Sequence, residues 1–171
     1  MIVKYETYSY IVNKQKILDA AFLPVARWQP NFDDRHLSLQ VEKGEFIKEF
    51  QKVYKWWKRT AENNVPEILN EYIDLWHFVA GIILTEHSAD FDGVYFEIRE
   101  TVEREHEFLK RFDEEFHLKQ LLIRVADANY YLNMLGIATA IIEKLGFTDQ
   151  QIKEAYDIKN AENFERIAAG Y

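Results

Sequence analysis

The sequence of 171 residues contains no cysteine and only three prolines and six glycines. Without cysteine, the protein has no disulfide, no thiolate metal site and no cysteine nucleophile. Its apolar stretches are too short to span a bilayer, and the segment after Met1 lacks the apolar core of a signal peptide. We therefore expect a cytoplasmic protein without a membrane-spanning segment.

The charge of the chain is acidic, with 29 Asp and Glu residues against 21 Lys and Arg residues. No dense block of basic residues is present, which argues against binding to a nucleic-acid polymer through backbone neutralisation. Hydrophobic residues make up 48% of the chain, enough for a substantial core. The length favours a single domain over residues 1–171.

The few glycines and prolines fall mostly between long segments with helical periodicity, and no segment alternates convincingly with period two. This pattern predicts an all-α fold, a helical bundle with short loops. Ser38 is a suitable N-cap, Gly146 a natural helix stop, and Thr148-x-x-Gln151 a capping box. The expected helices cover about residues 11–27, 38–62, 66–85, 95–116 and 118–145, with a last one after residue 148.

Two pairs of acidic residues carry the strongest chemical signal: Glu42 with Glu45, and Glu71 with Asp74. A spacing of three residues places both members of a pair on one helix face. Two such pairs on neighbouring helices can converge, and converging carboxylates need a cation to stay ionised. Hard oxygen ligands suit Mg²⁺, which proteins usually share with substrate phosphates. The pattern predicts an Mg²⁺-dependent hydrolase of phosphoanhydrides.

Each acidic pair alone is also typical of a solvated helix face. Glu71 and Asp74, however, lie in the expected helix with little polar surface, where a carboxylate needs a partner or a metal. Glu49 shares a face with Glu42 and Glu45, and it adds a further candidate ligand.

A di-iron bundle is the main alternative metal site, because such bundles use Glu-x-x-His motifs. The sequence contains Glu103-x-x-His106, Glu114-x-x-His117 and the related motif Asp74-x-x-His77. On one expected helix, the first two motifs would lie roughly 16 Å apart, too far to share a metal centre. We therefore favour the carboxylate site over the histidine motifs.

Lys159, Asn163 and Arg166 recur at helical spacing near the carboxyl end of the chain. One helix face would then present an ammonium, an amide and a guanidinium, a set suited to phosphate oxygens. A solvated face with ordinary ion pairs is the alternative interpretation.

Three blocks of this sequence have the order and spacing of the motifs of a known family. They are residues 41–49 with Lys55-Trp56-Trp57-Lys58, residues 71–78, and residues 145–148 with Ala155-Tyr156, Lys159-Asn160, Asn163, Arg166 and Gly170-Tyr171. These blocks resemble the all-α dimeric dUTPases, a family within the MazG-like nucleotide pyrophosphohydrolases. The residue pair Gln15 and Asp19 is similar to an N-terminal element with which this family recognises the base. Ile167 departs from the family, which often has a glutamine there, and residues 91–125 match only as helices.

The resemblance implies a helical subunit that forms a homodimer about a two-fold axis. It also implies hydrolysis of dUTP, and of dUDP, to dUMP with release of pyrophosphate or phosphate. The implied Mg²⁺ ligands and catalytic residues are Glu42, Glu45, Glu71 and Asp74, with Glu49 as a further ligand and Glu42 as the base for the attacking water. The implied phosphate-binding residues are Lys159, Asn163, Arg166 and Lys55, and the implied base-binding residues are Gln15, Asp19 and Trp57.

Two other functions stay open at this point. A pyrophosphohydrolase for dCTP or a modified nucleotide would share the acidic pairs and differ in the residues that contact the base. A helical dimer that binds a regulatory protein is the second alternative, since some phage-associated members of the family bind repressors.

Overall fold

The computed structural model describes residues 1–170, apart from the side chain of Glu115. Tyr171, the last residue of the family-like Gly-Tyr end, lies outside the described residues. Residues 1–170 form eight α-helices and one 3₁₀ turn at Glu114–Phe116, and they contain no strand, so the predicted all-α class is confirmed. The α-helices are α1 (Tyr5–Phe22), α2 (Phe32–Lys48), α3 (Gln51–Tyr54), α4 (Val65–Glu86), α5 (Phe91–Leu109), α6 (His117–Asp127), α7 (Tyr131–Lys144) and α8 (Asp149–Ala168).

Helix α4 lies at the centre of the bundle and packs against α1, α2, α7 and α8. Pro66 stands in its first turn, where the missing N–H is not needed for a helical hydrogen bond. The side chains of Ile68, Trp76 and Ile83 are fully buried. A helix with apolar residues on most of its circumference must be surrounded, so any polar side chain on α4 lies near the interior.

Helix α2 differs from the helix expected over residues 38–62. It begins at Phe32 because Asn31 and Asp34 form a capping box, each side chain bonding the backbone N–H of the other. Ser38 lies inside the helix, and its hydroxyl donates to the carbonyl oxygen of Asp34. The helix ends at Lys48, and one turn (α3) and an irregular segment replace its expected second half.

The helix expected over residues 118–145 is divided in two. Ala128 and Tyr130 have extended backbone angles (ψ 119° and 123°), which end α6 and precede α7. Helix α5 also stops at Leu109, before the expected end at residue 116. The two Glu-x-x-His motifs therefore lie on different elements, and the expectation that they share one helix was wrong.

Local signals at the carboxyl end of the chain are confirmed. Gly146 has φ +83°, a left-handed angle that suits the residue just after a helix. Thr148 and Gln151 form the capping box of α8.

Helix α1 begins earlier than expected, at Tyr5, and ends at Phe22. None of the helices described is long and apolar enough to cross a membrane.

The buried apolar side chains form one cluster, to which the seven longer helices all contribute. Helices α1, α2 and α8 each pack against α4. A cleft opens among these four helices.

Candidate active site

The cleft has a volume of about 760 Å³ and is lined by residues from α1, α2, α4, α8 and the segment between α1 and α2. Two groups of side chains dominate its polar lining. We call Glu42, Glu45, Glu71 and Asp74 the acidic cluster. We call Gln15, Asp19, Arg35, His77 and Tyr156 the Gln15 network; all except Tyr156 line the cleft itself.

The acidic cluster brings together both carboxylate pairs. Glu42, Glu71 and Asp74 each offer one oxygen, and these oxygens all lie within 4.8 Å of one another. Glu45 lines the same cleft, and its carboxylate lies 3.4 Å from the ammonium of Lys48. The packing of α2 against α4 places the two pairs side by side.

Burial and mutual repulsion disfavour the charged forms of these carboxyl groups. Burial, together with the charges of Asp74, Glu45 and Glu42, raises the pKa of Glu71 to about 7. Burial also raises the pKa of Glu42 and of Asp74, and in Glu42 the neighbouring carboxylates add to the effect. A group of carboxylates in this state is stabilised by a cation. Their oxygens are the donors that Mg²⁺ prefers, so these residues fit the implied metal.

Helix α8 places its basic residues on the same cleft. The ammonium of Lys159 lies 2.7 Å from Asp74 Oδ2, and both side chains are less than 20% exposed. Asn163 and Arg166 follow on the same helix and also line the cleft, with Arg166 donating to Asn163 Oδ1 at 3.3 Å. An ammonium, an amide and a guanidinium therefore face the carboxylates.

The Gln15 network joins side chains from four helices, α1, α2, α4 and α8. Gln15 Nε2 donates to Asp19 Oδ1 at 2.7 Å, and Gln15 Oε1 lies 2.7 Å from His77 Nδ1 and 3.0 Å from the hydroxyl of Tyr156. The guanidinium of Arg35 lies 2.8 Å from the other carboxylate oxygen of Asp19. Burial lowers the pKa of His77 to about 3, with a smaller effect from Lys159, so the imidazole is neutral.

Gly81 on α4 makes room for Arg35. A methyl group in place of its hydrogen would collide with the guanidinium. The absence of a side chain at this position thus lets Arg35 reach Asp19 across the surface of α4.

A family model described as dUTPase matches residues 7–171. The chain belongs to the dUTPase family. Its all-helical fold agrees with the all-α dimeric branch that the sequence motifs indicated. This dUTPase is a dUTP diphosphatase, an enzyme that hydrolyses dUTP. Among curated proteins and among solved structures, no match to the chain was found.

Three of the residues named from sequence lie outside the cleft of this dUTPase, as far as the described residues show. Glu49 is buried, and its carboxylate lies 3.6 Å from the ammonium of Lys48. Lys55 donates to Gln51 at 2.7 Å, and Trp57 is 63% exposed. Their roles in metal, phosphate and base binding stay predictions.

Sequence reasoning missed several residues that line the cleft of the dUTPase. Trp28 lies in the irregular segment between α1 and α2, and its indole N–H donates to Asp34 Oδ2 at 3.1 Å. Arg35, Phe22 and Phe78 also line the cleft. Helical periodicity carries no information about an irregular segment, so only a family alignment could have indicated Trp28 in advance.

The Glu-x-x-His motifs do not form a rival metal site in the part of the dUTPase that is described. His106 Nε2 lies 3.0 Å from Glu143, and His117 Nε2 donates to the carbonyl of Phe112 at 3.1 Å. Among the described residues, the acidic cluster holds the one group of three potential metal ligands within 4.8 Å of one another. The di-iron alternative therefore has no assembled site.

Proposed function

We propose that this dUTPase hydrolyses dUTP to dUMP and pyrophosphate, and dUDP to dUMP and phosphate, in a reaction that depends on Mg²⁺. The observation that carries the proposal is the meeting of Glu42, Glu71 and Asp74 within 4.8 Å, in the same cleft as Lys159 and Arg166. Carboxylates and cations in one cleft suit a metal-bound polyphosphate.

The ligands of Mg²⁺ would come from the acidic cluster. When bound, Mg²⁺ supplies charge neutralisation at the phosphates and lowers the pKa of a bound water. Glu42 is the proposed base, since its pKa is raised by burial and by neighbouring carboxylates, which increases its affinity for a proton. Lys48 contacts both Glu45 and Glu49 and so connects Glu49 to the acidic cluster. We propose that Glu49 lies outside the metal ligands and orients Lys48 toward Glu45.

The phosphates would be held by Lys159, Asn163 and Arg166. In the described structure, the ammonium of Lys159 is engaged by Asp74 at 2.7 Å. The ammonium of Lys159 has three N–H donors, so one of them can point to a phosphate, and more of them can do so once Lys159 is no longer held by Asp74. A cation bound to Asp74 would replace Lys159 as the partner of this carboxylate. Binding of the metal and contact of Lys159 with the phosphate therefore favour each other.

The base would lie against the Gln15 network. Gln15 and Asp19 both line the cleft and offer hydrogen bonds. Trp28 also lines the cleft and is 60% exposed, so we propose it as an aromatic contact of the nucleoside. Trp57 keeps a stacking role only if a second subunit brings it to a cleft.

We also propose that the enzyme works as a homodimer. Leu37 and Val41 lie one turn apart on α2 and are 68% and 55% exposed, and Trp56 is 88% exposed. Exposed apolar side chains of this size are typical of subunit contacts. Light scattering of the purified protein would give the mass of a dimer, and a monomeric mass would contradict this part of the proposal.

The test of the activity uses purified protein with dUTP, dUDP, dCTP, dTTP and UTP, each with Mg²⁺ and with a chelator in excess. We expect dUTP and dUDP to be hydrolysed fastest and the chelator to abolish turnover. Hydrolysis that continues at the same rate without a divalent ion would contradict the metal dependence. A preference for dCTP would remove the assignment of the base and leave a pyrophosphohydrolase of another specificity.

A further inference from the structure

The amide of Gln15 is held at both ends inside the fold. Its oxygen Oε1 lies 3.0 Å from the hydroxyl of Tyr156 and 2.7 Å from His77 Nδ1, and its nitrogen Nε2 donates to Asp19 at 2.7 Å. The side chain of Gln15 is 5% exposed, and Tyr156 is fully buried. The hydroxyl of Tyr156 has a second acceptor, the carbonyl of Ile11, at the longer distance of 3.3 Å.

Asp19 on one side of the amide, and His77 and Tyr156 on the other, together decide which way this amide faces. The opposite orientation would place Oε1 against a carboxylate oxygen, two acceptors without a proton between them. Asp19 cannot easily turn away, because Arg35 holds its second oxygen at 2.8 Å. Since Oε1 can only accept, His77 carries its proton on Nδ1, and Oε1 receives a hydrogen bond from each of its two neighbours.

The orientation leaves one group of the amide for a ligand. A carbonyl oxygen accepts two hydrogen bonds, and both positions on Oε1 are filled. One proton of Nε2 points to Asp19, so the second N–H is the unused group. The imidazole of His77 stacks on the ring of Tyr156, with centroids 4.5 Å apart, which fixes both donors relative to each other.

We propose that Tyr156 and His77 are positioning residues that set the base selectivity of this enzyme, by fixing Gln15 as a hydrogen-bond donor toward position 4 of the pyrimidine. This inference rests on the proposed role of Gln15 in base binding. A carbonyl oxygen at position 4, as in uracil, accepts the N–H of Gln15. An amino group at that position, as in cytosine, would place a donor against a donor and leave both without an acceptor.

The first test is Tyr156→Phe, which keeps the ring stacked on His77 and removes one donor from Oε1. The amide is then held by Asp19 and His77 alone, so the reversed orientation, which presents its oxygen to the base, becomes more populated. We expect the ratio of kcat/KM for dUTP over dCTP to fall about ten-fold, since one hydrogen bond no longer holds the orientation. The change should appear mainly in KM, because the amide contacts the base and not the phosphates.

Tyr8→Phe is the matched control. Tyr8 is also buried, at 1% exposed, and its hydroxyl donates to the carbonyl of Phe91 at 2.9 Å, remote from the cleft lining. The control removes the same group and the same kind of bond. We expect it to lower thermal stability as Tyr156→Phe does, and to leave the ratio of dUTP to dCTP at the wild-type value.

Gln15→Glu is the second variant and keeps the proposal testable if Tyr156→Phe folds poorly. Its carboxylate still accepts from Tyr156 and His77 but has no N–H to offer. We expect kcat/KM for dUTP to fall at least about 100-fold and the preference over dCTP to disappear. A variant that keeps the wild-type ratio would show that the N–H does not select the base.

The positioning role of Tyr156 and the proposed dUTPase activity can be tested separately. If wild-type enzyme prefers dUTP but Tyr156→Phe and Tyr8→Phe both keep its ratio, the positioning role is wrong and the proposed activity stands. If wild-type enzyme shows no preference for dUTP over dCTP, the proposed base assignment fails before any variant is measured.

Discussion

Two buried glutamates, Glu71 on α4 and Glu105 on α5, show how the surroundings of one residue type separate a functional site from a structural one. Glu105 is fully buried and receives two hydrogen bonds from Arg124, one of 2.7 Å from Nη2 and a second from Nε. Arg104 adds a further contact at 3.8 Å. Glu71 is 7% exposed, and its neighbours in the acidic cluster are carboxylates.

The difference between the two glutamates lies in compensation, not in burial. Arginine offsets the charge of Glu105 within the fold, so that pair is complete. Burial, together with repulsion from carboxylates that no arginine offsets, raises the pKa of Glu71 to about 7, so the fold leaves this group in need of a cation from outside. Burial without compensation is therefore the better sign of a ligand site.

The variant Glu71→Gln should have the largest effect on activity. It removes a candidate ligand while keeping the shape of the side chain, and we expect hydrolysis of dUTP with Mg²⁺ to fall roughly 1,000-fold. Thermal stability should not fall, because the variant also removes repulsion among carboxylates. Turnover at the wild-type rate would contradict the role of Glu71 as a metal ligand.

The variant Glu105→Gln should show the opposite profile. It breaks a buried pair, and we expect the free energy of unfolding to fall by about 3 kcal/mol, toward the lower end of the usual range because Arg124 is 35% exposed. Urea unfolding measures this change, and kcat per folded molecule should stay at the wild-type value. Lost activity in a fully folded variant would show that the two glutamates are not separate in function.

Lys159→Met tests whether the ammonium of Lys159 partly offsets the charge of the acidic cluster. Lys159 contacts Asp74 at 2.7 Å and therefore competes with a cation at that carboxylate. Without it, we expect the affinity for Mg²⁺ in the absence of nucleotide to rise about ten-fold, while KM for dUTP also rises because a phosphate contact is lost.

Titration calorimetry with Mg²⁺ measures the first effect of Lys159→Met without any turnover. Lys14→Met is the control, since Lys14 pairs with Asp157 at 3.6 Å and does not line the cleft. An affinity for Mg²⁺ that is unchanged or weaker in Lys159→Met would contradict the competition.

Glu103→Gln should have the smallest effect and completes the comparison on α5. Glu103 pairs with Arg99 at 3.2 Å, one turn apart, and its side chain is 58% exposed. We expect a loss of only about 0.3–0.5 kcal/mol of unfolding free energy, because water solvates both charges when the pair is broken. A loss as large as that of Glu105→Gln would show that exposure does not distinguish the two pairs.

The helix boundaries that sequence predicted correctly depend on local chemistry. Thr148 with Gln151, and Gly146 with its positive φ, act through their own backbone and need no distant contact. The start of α2 at Asn31 has a similar capping box, yet the polar residues that follow it weaken the apolar periodicity. The break between α6 and α7 has neither glycine nor proline, and only the weaker turn formers Asp127 and Asn129 mark it in the sequence.

The site was predictable to the extent that it follows helical spacing. The pairs Glu42 with Glu45 and Glu71 with Asp74 could be grouped from sequence because each pair lies within one helix. Trp28 and Arg35 could not, since the first lies in an irregular segment and the second reaches Asp19 over Gly81. Glu49 has the correct spacing but faces Lys48 and the interior.

The sequence by itself determined an all-helical chain, the faces on which its carboxylates and basic residues lie, and the family to which it belongs, because spacing and motifs are properties of neighbours along the chain. Only the tertiary structure decided which carboxylates meet, that Lys159 contacts Asp74, and that Gln15 is held by His77 and Tyr156. These contacts join residues far apart in sequence, and their geometry follows from how α1, α2 and α8 pack on α4.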